Sequence, residues 1–225
     1  MNIVANPQYN DIGKDARKDK EKLMITLLDD PISGNGYKVR LMLAFLNQPY
    51  TYKIFSVLKS ETRTPEFLKI NPNGRIPVLL LEDGTVLPES NAILHYLAAG
   101  TAFLPADRLH HAQVLSWMFF EQYSHEPNIA TLRFWTHLPE LDAVQQAQIP
   151  GKRAGGEAAL KLMDAHLAKH DWLVAGMPTI ADIALYAYTH VADEGGFDLT
   201  QYPAVQAWIS RIEGLPGYVP LAAHD

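Results

Sequence analysis

Ser33 and Asn35 stand two residues apart in the stretch DDPISGNGYKVR, Asp29 to Arg40, where turn residues give way to a helical pattern. A helix N-terminus gathers free backbone N–H groups and the positive end of the helix dipole, so it favours an anion. A hydroxyl and a carboxamide placed there add two neutral donors. Donors aimed at a thiolate favour the charged form and lower the thiol pKa. The stretch carries neither a Walker lysine nor a G-x-G-x-x-G run, which argues against a nucleotide phosphate cradle. The chain has no cysteine, so disulfides, thiolate metal sites and a cysteine nucleophile are excluded. A thiol handled here must arrive on a ligand.

Two further stretches have ligand chemistry. In NGRIPVL, Asn73 to Leu79, a proline interrupts a strand pattern and cannot donate a ladder hydrogen bond. With a cis Ile76–Pro77 bond, the Ile76 backbone is free to pair with a peptide-like ligand as a short added strand. The sequence alone favours a trans proline on an edge strand. In LPESNAI, Leu87 to Ile93, Glu89 and Ser90 sit at a helix start. First-turn amides there can bind a carboxylate and Glu89 can pair with an ammonium, together reading an α-amino acid head group. Simple helix capping by Ser90 explains the same residues. In MPTIADIALY, Thr179 and Asp182 have capping-box spacing and read as structural.

These stretches need elements to hold them. Residues 1–23 form a polar, charge-rich extension, read equally well as an ordered arm or a loose tail. From Met24 the pattern runs strand (MITLL), helix (GYKVRLMLAFLN), strand (PYTYKIFS), helix (PEFLKI, capped by Thr64), hairpin (IPVLLLEDGTVLPES, turning at Asp83-Gly84) and helix (SNAILHYLAAG). The opening predicts a parallel pair joined by a helix, and the hairpin an antiparallel edge. After TAFLPADR the strands stop. One long helical pattern covers 108–137, which Pro127 must kink or break; further helices are predicted at about 151–170, from near Thr179, and at about 203–213. The predicted layout is 24–101 for the α/β domain, a linker at 102–109, and an all-α domain at 110–225.

The bulk numbers agree with such a chain. Of 225 residues, 48% are hydrophobic and 20% charged, ordinary values for a globular protein. A net charge of −6 argues against nucleic acid as main partner. No apolar run is long enough to span a membrane and no signal segment is visible, so a cytoplasmic protein without a membrane partner is expected. His166 and His170 lie four apart on a helix, but no carboxylate motif accompanies them; they read as a solvated face and no metal is expected.

From about Met24 onward the chain resembles a bacterial glutathione S-transferase. NPNGRIPVL, PESNAILHYL and TIADIALY stand in that family's order and spacing. The resemblance implies an α/β thioredoxin-like N-terminal domain plus an all-α C-terminal domain, a homodimer, and glutathione as co-substrate in detoxification. It implies a cis Pro77, pairing of Ile76 with the cysteinyl part of glutathione, and binding of its γ-glutamyl end by Glu89 and Ser90. Arg75, or else Lys59, Thr62 or Arg63, would reach the glycyl carboxylate. Ser33 falls where serine-type classes place the thiolate-stabilising hydroxyl. The S-G-N-G-Y-K run also resembles the nu class, where a hydroxyl residue and an asparagine both face the sulfur, which adds Asn35. The implied reaction is attack of glutathione on a small hydrophobic electrophile, with glutathione-dependent disulfide reduction or non-catalytic ligand binding as alternatives. A second-substrate pocket is expected between the domains, lined by Tyr37, Tyr123 and His125. The aromatic stripe with Trp117 and Phe134 reads as core.

Overall fold

A computed structural model describes residues 24–222. The polar extension expected at 1–23 lies outside the described residues.

The N-terminal domain is an α/β unit. Strand β1 (Thr26–Asp29), helix α1 (Gly34–Phe45) and strand β2 (Thr51–Ile54) are followed by α2 (Pro65–Ile70), β3 (Val78–Leu80), β4 (Val86–Pro88) and α3 (Ser90–Ala98). The four strands lie in the order β2-β1-β3-β4. β1 runs parallel to β2, with Thr26 opposite Thr51, and antiparallel to β3, with Leu28 opposite Val78. The hairpin β3–β4 turns through Gly84, whose φ of 85° suits glycine. Successive strand residues point to opposite faces. Ile25, Leu27 and Leu79 therefore pack on Val39 and Leu43 of α1 and Ile93 of α3, while Leu28 and Val78 pack on Phe67 of α2. This is a thioredoxin-like sheet with helices on both faces.

The remainder is helical: α4 (Arg108–Phe120), α5 (Glu126–Trp135), α6 (Ala143–Leu167), α7 (Ile180–Thr189) and α8 (Pro203–Glu213). All ten residues of α7 are buried, as expected for a helix that is apolar all round. Tyr37, Leu41 and Met42 of α1 join this helical core against Met118, Ile183 and Ala184. Helix α1 thus serves two cores, one on each side. No described helix is long and apolar enough to cross a membrane.

Two helix boundaries depart from the sequence reading. The pattern at 108–137 is neither one helix nor a simple kink. A single π turn, Glu121–His125, separates α4 from α5, and Pro127 sits in the first turn of α5, where no N–H is needed. Helix α6 begins at Ala143 rather than about 151, because Asp142 and Gln145 form a capping box. Pro150 lies inside α6 but on its exposed first half, where water can satisfy the carbonyl left without a partner.

The predicted capping box at α7 is present and carries a second load. The buried Asp182 carboxylate accepts from Thr179 N at 2.9 Å and Thr179 Oγ1 at 3.0 Å, and also from Leu173 N at 3.0 Å and Trp208 Nε1 at 2.9 Å. It therefore ties α7 to the 173 loop and to α8. Thr179→Ala should cost about 1 kcal/mol, the usual loss for a cap. Asp182→Ala, which strands four buried donors, should cost several times that. Denaturant unfolding followed by tryptophan fluorescence checks the ranking; equal losses would contradict it.

Candidate active site

The site grows from the loop between β1 and α1. Ser33 is the N-cap of α1, and its Oγ accepts from Gly36 N at 3.1 Å. The Asp30 side chain shapes the loop by accepting from Ile32 N at 3.2 Å and Val57 N at 2.7 Å. Arg40, two helical turns on from Ser33, ties it down. Its Nε donates to Asp29 Oδ2 at 3.1 Å, its Nη2 to Pro31 O at 3.1 Å and its Nη1 to Leu221 O at 3.0 Å. Burial pushes the Asp29 carboxyl up to about 7, against the pull of the Arg40 guanidinium.

The glycines flanking Asn35 do more than turn the chain. A side chain on Gly36 would overlap the Asp29 carboxylate, and one on Gly34 would overlap the Tyr188 ring. Neither glycine has a positive φ. Both are there so that α1 can approach β1 on one side and α7 on the other. Tyr188 closes that contact by accepting from Asn35 N at 3.2 Å.

Asn35 is the hinge of a partly buried polar ring. Its Nδ2 donates to Glu126 Oε1 at 2.8 Å, and its Oδ1 accepts from Ser90 Oγ at 3.0 Å. Behind it lies Lys38, fully buried, with its Nζ 2.8 Å from the equally buried Glu121 and 3.5 Å from Glu126. Gln122 Nε2 donates to both carboxylates, at 2.8 and 2.6 Å. The π turn makes this possible. Residues five apart on an α-helix diverge by about 140°, but here Glu126 N bonds Glu121 O and the two carboxylates face one cation. Burial pushes the Glu126 carboxyl up, Lys38 pulls it down and Glu121 pushes it up again.

A cleft of about 620 Å³ opens above these residues, between the α/β unit and the helices. Ser33, Asn35, Thr62, Arg63, Arg75 and Ile76 line it from the first side; Glu126, Arg133, Phe134 and Tyr188 line it from the second. Pro77 is buried and the Ile76–Pro77 bond is cis. Glu89 is exposed at the start of α3 with a positive φ of 72°, next to Ser90. Lys59 is exposed on the loop after β2 and is not among the cleft-lining residues.

All three residues expected in the second-substrate pocket lie elsewhere. Tyr37 is fully buried beneath α7, where its hydroxyl donates to Val219 O at 2.7 Å. Tyr123 points to solvent, with 88% of its surface exposed. His125 is fully buried on the far side of the π turn, with Nε2 2.9 Å from Thr189 Oγ1. The π turn accounts for Tyr123 and His125, turning the first out and the second in, whereas Tyr37 on α1 faces the helical core rather than the cleft. Phe134, read as core, lines the cleft instead. The sequence reading also missed Glu126, Arg133 and Tyr188; Pro127, the sign of a broken helix, was the available warning. The His166 and His170 rings lie with centroids 4.6 Å apart, tilted by 31°, and no cluster of three or more metal-ligating side chains occurs among the described residues.

Sequence models of the glutathione S-transferase N-terminal and C-terminal domains match residues 32–99 and 146–211. A glutathione S-transferase from Pseudomonas fluorescens Pf-5 superposes with a TM-score of 0.86 at 48% identity, covering 89% of this chain and 100% of that one. A glutathione transferase from Phanerochaete chrysosporium, solved with oxidized glutathione, gives 0.77 at 26% identity, covering 88% and 93%. The disulfide-bond oxidoreductase YfcG of Escherichia coli K12 is 30% identical over 86% of this chain and 92% of its own length.

Burial lowers the His125 pKa from 6.5 to about 3, so the folded state resists a proton that the unfolded chain accepts. The stability this residue contributes is complete above about pH 6.5 and is lost as pH falls below it. Relative to His125→Gln, the wild type should lose about 2 kcal/mol between neutral pH and about pH 5. Paired unfolding curves across that range give the difference; parallel curves would place His125 in contact with water.

Proposed function

This chain belongs to the glutathione S-transferase family, and from that premise we propose that it binds glutathione in the interdomain cleft, lowers its thiol pKa and presents the thiolate to a small hydrophobic electrophile. The observation that carries the reading is the pairing of the Ser33 hydroxyl with the Asn35 carboxamide at the first turn of α1, both on the cleft wall. Ser33 Oγ already accepts from Gly36, so its own proton is left to donate. Together with the helix dipole these donors favour a negative sulfur. The thiolate then attacks an electrophilic carbon; a C–S bond forms and the leaving group departs with the bonding pair. Rate comes from more thiolate at neutral pH and from its placement.

In this reading residues 24–101 bind glutathione, 102–109 link and 110–225 supply the electrophile wall. Ile76 pairs with the cysteinyl backbone beside cis Pro77, Glu89 and Ser90 take the γ-glutamyl end, and Arg75, with Thr62 nearby, takes the glycyl carboxylate. Phe134 and Tyr188 replace Tyr37, Tyr123 and His125 as the second wall. The working unit is a homodimer, a point that sedimentation tests directly.

A second reading is disulfide reduction, in which the bound thiolate attacks a disulfide sulfur and expels the partner thiolate. Asn35 favours it, because nu-class-like chemistry shares the sulfur between a hydroxyl and an asparagine, and Asn35 is anchored here at both ends of its amide. The 30% identity to a disulfide-bond oxidoreductase supports the same direction.

Ser33→Ala should cut turnover with an activated aryl halide about a hundredfold, the usual cost of one lost anion donor, with little change in glutathione affinity. If reduction is the main activity, Asn35→Ala should slow cleavage of a small glutathione mixed disulfide at least as much as Ser33→Ala does. Unchanged turnover in Ser33→Ala removes Ser33 from the mechanism. Glutathione binding without turnover on either substrate favours a non-catalytic ligand-binding role.

A further inference from the structure

Glu126 lies outside the glutathione-binding set, yet it holds the Asn35 side chain. We propose that Glu126 is a positioning residue: by accepting from Asn35 Nδ2, it fixes which end of the Asn35 amide is presented to the glutathione sulfur. The inference rests on the reading of Ser33 and Asn35 as thiolate donors.

A carboxamide has two ends of similar shape and opposite polarity. The N–H end stabilises a thiolate and the oxygen end repels it. Ser90 by itself does not choose between them, because a hydroxyl either donates or accepts. A carboxylate only accepts. Glu126 Oε1 at 2.8 Å therefore requires Nδ2 on its side, which leaves Oδ1 for Ser90 Oγ at 3.0 Å. Lys38 enforces the same sense. Its ammonium, a donor only, lies 3.4 Å from Ser90 Oγ and directs the Ser90 proton away, toward Asn35. Asn35 Nδ2, Lys38 Nζ and Gln122 Nε2 donate to Glu126 or Glu121 while Ser90 donates to Asn35 Oδ1, and the second Nδ2 hydrogen is left over for a ligand in the cleft. The polarity of the thiol site on α1 is thus set by a residue of the helical domain.

Glu126→Gln tests this with nearly unchanged shape. Lys38 keeps Glu121 at 2.8 Å, so the buried cation stays paired. The amide introduced by Glu126→Gln can offer N–H to Asn35 Oδ1, which releases the orientation. Through-space electrostatics alone predicts the opposite sign, since removing a negative charge beside a thiolate makes that thiolate easier to form.

The experiment titrates the thiolate absorbance of glutathione bound to the wild type, Glu126→Gln, Glu126→Asp, Asn35→Ala and the Glu126→Gln/Asn35→Ala double variant. The expected result is a rise of about one unit in the bound thiol pKa in Glu126→Gln, with turnover at neutral pH down about tenfold. Glu126→Asp, which keeps an acceptor, should retain part of the lowering. In the Asn35→Ala background, Glu126→Gln should add no further rise. An unchanged or lowered thiol pKa in Glu126→Gln, or the same rise without Asn35, overturns the inference. A wild-type titration that matches free glutathione overturns the thiolate reading itself, and is visible before any variant is compared.

Discussion

A lysine with no exposed surface sits in the middle of α1, and the protein is arranged around the need to pair it. An unpaired buried ammonium costs several kcal/mol, far more than a single mispacked side chain. Lys38 meets Glu121 at 2.8 Å, and Glu121 comes from the helical half of the chain. The ion pair therefore fixes how the helical domain sits on the α/β domain. Asn91 adds a second tie, its Nδ2 donating to Glu121 Oε2 at 2.9 Å from α3. A hydrophobic contact tolerates sliding; a dry ion pair with side-chain hydrogen bonds on both partners does not.

Arg40, further along the same helix, has the matching role. It joins the end of β1, the Ser33 loop and the carbonyl of Leu221 through one guanidinium. Tyr37 reaches Val219 close by. Helix α1 thus carries apolar residues toward two cores and polar residues toward β1, α3, the π turn and the 219–221 segment. Its nine buried residues include both Lys38 and Arg40. The mouth of this helix is where the loop donors are held, so the same contacts that stabilise the fold make the site rigid. Arg133 extends the bracing from α5, donating to Ile32 O at 2.7 Å and to Glu194 at 2.6 Å.

Much of this was legible residue by residue. The strand pattern, the hairpin at Gly84, the Thr64 and Thr179 caps and the turn at Ser33 where α1 begins all follow from local rules, because turns and caps are decided by a few adjacent residues. The second wall of the cleft was not legible. Tyr123 and His125 stand out by their nearness to Pro127, but both lie within the π turn, where neighbours along the chain do not show which way each side chain faces, and Tyr37 on α1 turns into the helical core. Pro127 signalled a break without saying which way the chain would rotate. Gly34 and Gly36 read as turn residues because sequence shows conformational freedom, not the Asp29 carboxylate and Tyr188 ring that need the space.

By itself the sequence determined the fold class, the absence of any thiol of its own, and the presence of two neutral donors where a helix begins. These are properties of composition and of neighbours along the chain. Only the tertiary structure decided which end of the Asn35 amide meets Glu126 and which meets Ser90, that Lys38 is paired, and that Glu121 and Glu126 share one cation. Those facts depend on residues some 55 to 90 positions apart meeting in a space largely withdrawn from water. In such a space a charge must find its partner, and the partner's identity sets the direction of every hydrogen bond around it.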